Sequence, residues 1–126
     1  MADFRKLRVW RCAHALMINT HQAARRMREG EYLSLRSQMI RAAMSIPANI
    51  VEGRACATDR EFCRYLRYAI ASGRELEYHL IAARDVHALD DETFHSLSTR
   101  LADVLKMLHG LILTLDGRKF RAPNGS

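Results

Sequence analysis

From Phe62 onward, Leu66, Ala69, Gly73, Leu76, Leu80 and Ala83 return every three or four positions for more than twenty residues. A seam with that spacing is the stripe of a long helix covered by antiparallel helical neighbours, the packing of bundles and coiled coils. Its start is marked by Thr58-Asp59-Arg60-Glu61, a capping box in which the Thr58 side chain receives the amide of Glu61 and Glu61 reaches back. Gly73 lies inside the seam and costs up to ~1 kcal/mol there unless a neighbouring backbone needs the space, so a close helix contact is expected at that point.

One helix cannot bury such a stripe alone, and the rest of the chain supplies partners. A first helix is expected to begin after Asp3, which can cap it, and to run to about Glu29, with Val9, Ala13, Leu16, Ala23 and Met27 on one stripe. A second takes over near Ser34, with Leu35, Met39, Ala42, Ile46 and Ile50 apolar. Pro47 interrupts it, removing one backbone hydrogen bond and crowding the Ala43 carbonyl, so a kink is predicted. Gly53 is placed to close this helix in a left-handed cap. The fourth begins at Asp90 or Asp91, and Phe94, Leu97, Leu101, Val104, Leu105, Leu108, Leu111, Ile112 and Leu115 give it the strongest amphipathic pattern in the chain. The spacing therefore predicts an all-α, up-down-up-down four-helix bundle with a proline-kinked second helix. Residues 1–115 form its single domain, and 116–126, without periodicity and carrying Arg118, Lys119 and Arg121, are expected to be a disordered basic tail.

Composition agrees. Only two prolines and six glycines punctuate 126 residues, and 48% hydrophobic with 27% charged content lies in the globular range. Three cysteines, Cys12, Cys56 and Cys63, have no framework spacing and are expected to be free thiols. The charged start, MADFRKLRVWR, is not a signal peptide and no apolar run is long enough to span a membrane, so a soluble cytoplasmic protein without membrane contact is expected.

Charge carries the functional argument. Twenty basic residues, seventeen of them arginine, face fourteen acidic ones for a net +6. Arginine matches phosphate with two donors, and RNA or DNA is a natural partner of such a surface; the same charge also serves solubility. Arg60, Arg64, Arg67 and Arg74 fall at i, i+4, i+7 and i+14 on one face of the third helix, with Tyr65 and Tyr68 near enough to stack on exposed bases. A solvated face, or pairing with acidic groups of another subunit, is the alternative. Arg5, Lys6, Arg8 and Arg11 cluster at the start of the first helix, where they oppose its dipole, which makes them a second candidate for an acidic partner.

Two polar rows can face each other across the second and third helices: Gln38, Ser45, Asn49 and Glu52 on one, Glu61, Tyr65, Tyr68, Ser72, Glu75 and His79 on the other. They form either a buried polar site or a hydrogen-bonded network that sets helix register or a subunit interface, and the second is favoured. Metal and nucleophile motifs are weak. Glu92 and His95 make one E-x-x-H where a di-iron bundle needs two, and Glu75 with His79 is a single i, i+4 pair. With no phosphate loop and no nucleophile elbow either, no enzyme activity, catalytic residue, metal or cofactor is expected.

The segments QMIRAAMSIPANIVEG (38–53), ATDREFCRYLRYAIAS (57–72) and FRKLRVW (4–10) resemble the four-helix-bundle family that includes proteins encoded within intervening sequences of bacterial 23S ribosomal RNA genes. The resemblance extends over about residues 4–115. It implies a four-helix bundle assembled as a ring-shaped homopentamer. It also points to the accessory variability proteins of diversity-generating retroelements, which look like basic, nucleic-acid-binding partners of a reverse transcriptase. No catalytic residue is implied. Ser45, Ile46, Pro47, Asn49, Glu52, Gly53, Glu61, Phe62, Leu66, Ser72 and Glu75 match the family pattern. The chain departs from it at Val51, Ala71 and Gly73, and in the loop Arg54-Ala55-Cys56-Ala57, so any contact of the family's basic loop with nucleic acid falls here to Arg54 and Arg60.

Overall fold

The computed structural model describes residues 3–28 and 30–125, with side chains through 117. A short 3-10 turn, Phe4–Lys6, precedes four α-helices: α1 (Arg8–Arg25), α2 (Leu33–Arg54), α3 (Asp59–Asp85) and α4 (Asp91–Gly125). Each helix packs on its neighbours in the chain, and α1 closes the ring by packing on α4; among the described residues the diagonal pairs have no close backbone approach. The expected all-α four-helix bundle is thus the fold. No helix among the described residues is long and apolar enough to cross a membrane.

The core is the four stripes brought together. Leu16, Met39, Ile46, Ile50, Leu66, Leu76, Leu80, Leu101 and Leu108 are all buried to 2% exposure or less. At ~2 kcal/mol for each large aliphatic side chain removed from water, this layer dominates the driving force. Among the described residues Thr20 is the fully buried polar side chain, and its hydroxyl donates to the Leu16 carbonyl at 2.8 Å, so that donor is satisfied.

The helix ends show where local signals are sufficient. Glu61 N donates to Thr58 Oγ1 at 3.2 Å, the first arm of the capping box. The second arm differs from expectation: the Thr58 hydroxyl donates to Glu61 Oε1 at 3.3 Å, side chain to side chain, so Glu61 meets the hydroxyl and not the Thr58 amide. Asp90 caps α4 by accepting from Thr93 N at 2.7 Å. That bond, helped by Arg26, holds the Asp90 carboxyl below its usual range. At the other end of α3, His87 closes the helix with φ 63°, and Ala88 N and Leu89 N both return to the Ala83 carbonyl.

Three boundaries differ from expectation. Asp3 does cap, through Arg5 N to Asp3 Oδ1 at 2.9 Å, but what it caps is the 3-10 turn; α1 starts only at Arg8. That helix stops at Arg25, and Glu29 lies outside the described residues. Gly53 is not a left-handed cap, since no glycine among the described residues has positive φ. It is the buried penultimate residue of α2, and a β-carbon there would sit 2.8 Å from Phe62 Cδ1 and 2.9 Å from Tyr65 Cβ. The need it meets is helix approach, not backbone handedness. Gly73 meets the same need as expected, with Leu105 Cδ2 at 2.7 Å from the position of its absent β-carbon. Pro47 is buried inside α2, which continues as helix on both sides of it. The backbone of α4 runs to Gly125, and the side chains of the expected basic tail from 118 on lie outside the described residues.

Candidate nucleic-acid interface

A 27-residue helix turns its charged residues outward because its other side is used up by Phe62, Leu66, Ala69, Gly73, Leu76 and Leu80. Arg60, Arg64, Arg67 and Arg74 are all exposed on that outer side, as their spacing predicts. Their surroundings separate them. Arg67 reaches Asp116 Oδ2 of α4 at 3.7 Å, and Arg74 reaches Glu77 Oε1 at 3.4 Å. Both pairs are solvent-exposed, so each is worth at most ~1 kcal/mol and yields to a stronger anion. Arg64 has no carboxylate partner among the described residues; its guanidinium lies 5.1 Å from the Tyr65 ring centroid and 5.8 Å from that of Tyr68. Tyr68 is 46% exposed and meets Tyr65 edge-on at 5.6 Å. A cation with two aromatic faces beside it is a surface that can hold a phosphate and a base together. Arg60, one turn earlier, is exposed and has no ion pair among the described residues.

The other basic candidates are placed less favourably. Arg54 folds back onto the end of the bundle, with its guanidinium 5.8 Å from the Phe62 ring and its Nε buried without a partner. Arg5 is paired with Asp3 at 3.6 Å and lies over the Phe4 ring at 5.2 Å, and Arg11 Nη1 donates to the Arg5 carbonyl at 3.1 Å. The N-terminal cluster is therefore half spent on its own turn, leaving Lys6 and Arg8 exposed.

Across α2 and α3 the two polar rows do meet. Ser45 Oγ and Ser72 Oγ are 2.8 Å apart. Asn49 Nδ2 donates to the Ser45 carbonyl at 2.8 Å and to Ser45 Oγ at 3.1 Å, so its amide is satisfied within α2 and extends the contact to Ser72. Gln38, Arg41 and Glu75 line a shallow polar recess over this pair. His79 Nε2 lies 3.5 Å from Glu75 Oε1. Glu52 is exposed, and Glu61 is engaged with Thr58. The Ser45–Ser72 bond ties the two helices together, and the other contacts are made within one helix. Among the described residues, no group of three potential metal ligands converges.

Three partners were not singled out by the sequence pattern: Asp116 for Arg67, and Lys106 and His109, which border Arg74 from α4. Lys106 and His109 are three apart on the outer side of α4, a spacing visible in the sequence, but nothing local says which helix they adjoin.

Comparison with known proteins places these features. The family described as 23S rRNA-intervening sequence protein matches residues 5–110. Among solved structures, a protein of unknown function from the S23 ribosomal protein family of Bacteroides thetaiotaomicron superposes with a TM-score of 0.72 at 21% identity, covering 82% of this chain and 97% of that one. That likeness is one of fold. No curated relative matches.

Proposed function

This chain belongs to the 23S rRNA-intervening sequence protein family, and from that premise we propose that it is a non-enzymatic, oligomeric scaffold that binds nucleic acid through the outer face of α3. The observation that carries the proposal is Arg64, exposed, free of a carboxylate partner among the described residues and stacked beside Tyr65 and Tyr68, with Arg60 one turn away. The net charge of +6 supports it by drawing polyanions to the surface. A non-enzymatic role accords with the Ser45–Ser72–Asn49 network, which is spent on joining α2 to α3. Oligomerisation, as the homopentamer the family resemblance implies, is supported by α2. One strip of its outer side presents Ser37, Met44 and Ala48, with Arg41 among them, and Met44 is 51% exposed. A strip of small and apolar residues on an exposed helix side suits cover by a partner. The working compartment in this reading is the cytoplasm.

The test is a titration of a labelled single-stranded RNA at low salt, repeated as salt rises. Binding that weakens steeply with salt and falls at least tenfold in an Arg60→Glu/Arg64→Glu variant is expected. No binding at low salt refutes the proposal.

The same outer side of α2 favours a second reading, a protein–protein adaptor such as an accessory subunit of a retroelement reverse transcriptase. An adaptor keeps its protein partner after nuclease treatment, whereas a complex held by nucleic acid falls apart.

A further inference from the structure

The α3–α4 side of the bundle holds a cleft of about 240 Å³ that the arginine face only borders. Its floor is aliphatic: the exposed Ala102, with the edges of the nearly buried Leu101 and Leu105 beside it. The floor exists because Gly73 lacks a β-carbon, which lets Leu105 and Leu101 close onto the α3 backbone. Three nitrogen-bearing side chains stand around it: Arg74 from α3, and Lys106 and His109 from α4. The carboxylate present, Glu77, is already engaged with Arg74 at 3.4 Å. An apolar floor with cationic and hydrogen-bond-donating walls is complementary to one nucleotide, which has a flat base face and an anionic phosphate. A duplex does not offer that combination, because its base faces are stacked away. The cleft also lies farther along the helix that carries the first site: Arg64 and Arg74 are ten residues apart, about 15 Å along its axis and about 80° around it.

Resting on the nucleic-acid reading above, we infer that the α3–α4 cleft holds one nucleotide of a single strand, with Lys106 and His109 meeting its phosphate and the Leu105–Ala102 floor its base. The strand then continues along α3 to Arg64 and Tyr68. Lys106 and His109 thereby join the interface, and Gly73 acquires a binding role beyond helix packing.

Fluorescence anisotropy with a labelled oligouridine RNA tests this on the full chain. Lys106, His109 and Ala102 are all exposed, so their variants keep the fold, which circular dichroism checks. Lys106→Ala is expected to weaken binding several-fold and to lower the slope of log affinity against log salt by about 0.7, the share of one phosphate on a single strand. His109→Ala weakens binding several-fold as well. Ala102→Glu, which puts a carboxylate on the floor, is expected to weaken it about tenfold or more, a ~1.4 kcal/mol loss. Arg25→Ala, an equal charge loss far away on α1, is expected to leave binding unchanged, and duplex RNA to compete poorly. If the Lys106 and Ala102 variants bind as the unaltered protein does while Arg60→Glu/Arg64→Glu fails, the cleft is not a site and the α3 reading survives. If Arg25→Ala loses as much as Lys106→Ala, net charge alone is at work and the inference falls. Equal competition by duplex overturns the single-strand assignment, and no binding by the unaltered protein overturns both readings.

Discussion

Gly53→Ala is a single methyl added where α2 packs tightly on the start of α3. The new β-carbon would lie 2.8 Å from Phe62 Cδ1, 2.9 Å from Tyr65 Cβ and 3.2 Å from the Phe62 carbonyl oxygen. Two of those three neighbours are a β-carbon and a backbone atom, which no rotamer change can move, so the helices must part. Overpacking of this kind costs ~1–3 kcal/mol, and the rigid neighbours place Gly53 toward the upper end. Alanine returns up to ~1 kcal/mol of helix propensity in a helix interior, but less here, because Gly53 is the last residue but one of α2. The net expectation is a loss of about 2 kcal/mol. For 126 residues, an unfolding entropy of about 2.1 cal/mol/K per residue makes that a fall of roughly 7–8 °C in Tm. Two other glycines calibrate the measurement. At Gly73 the close neighbours are the tips of Leu105 and Leu101, which can turn, so overpacking and propensity nearly offset and Tm moves little. At Gly110, exposed in the middle of α4, nothing lies within 4 Å of an added β-carbon, and alanine should raise Tm by roughly 2–4 °C. Thermal melts followed by circular dichroism at one fixed protein concentration give the order: Gly110→Ala highest, then the unaltered protein and Gly73→Ala, with Gly53→Ala lowest. A Gly53→Ala protein as stable as the unaltered chain refutes the argument that this glycine serves helix approach.

Other expectations follow from single contacts. Ser45→Ala and Ser72→Ala, combined in a double-mutant cycle under urea, should show a coupling of about 0.5–1.5 kcal/mol for their 2.8 Å hydrogen bond; zero coupling means the hydroxyls do not depend on each other. His87→Gly should stabilise by up to ~1 kcal/mol, since His87 is the described non-glycine residue with positive φ, at 63°; a loss of stability would show that its side chain does more than tolerate the turn. Cys63 is buried and its thiol is pushed above the usual value, by burial first and then by Asp116. Ellman's reagent at pH 8 should therefore modify the half-buried Cys12 and Cys56 well before it, and Asp116→Asn should narrow the difference. The Asp90 carboxyl sits below its ordinary value, so its contribution is present above the usual carboxylate range and is lost as pH falls through the lowered one. An Asp90→Asn protein should show a flatter loss of stability as pH falls below the usual carboxylate range, and an unchanged acid limb would remove Asp90 from the account.

The proposed binding surface was only partly legible in the chain. Helical spacing put Arg60, Arg64, Arg67 and Arg74 on one exposed face, and they are there. It could not tell the four apart. Arg67 is tied to Asp116, forty-nine positions away, whereas Arg64 lies beside two tyrosines of its own helix. Arg54 looked like a loop cation because it follows the conspicuous Glu52-Gly53 pair, yet α2 extends through it and lays its head on Phe62. The polar rows of α2 and α3 were visible as rows; that Ser45 meets Ser72 depends on the register between the helices, whereas Asn49 meets Ser45 as an i, i+4 pair within α2.

By itself the sequence determined the number of helices, the caps at Thr58 and Asp90, the buried stripes and the need for a close approach at Gly73. These are settled within a turn or two of chain, by 3.6-residue periodicity, by side chains that reach the nearest free amide, and by the cost of glycine in a helix. Tertiary structure alone decided that Gly53 is a contact and not a cap, which arginines are paired, and that Lys106 and His109 stand across a cleft from Arg74. Periodicity assigns a residue to a face but says nothing of what lies opposite. The opposite residue is chosen when whole helices slide and rotate to fill their shared core, and that choice is made by packing between segments dozens of residues apart.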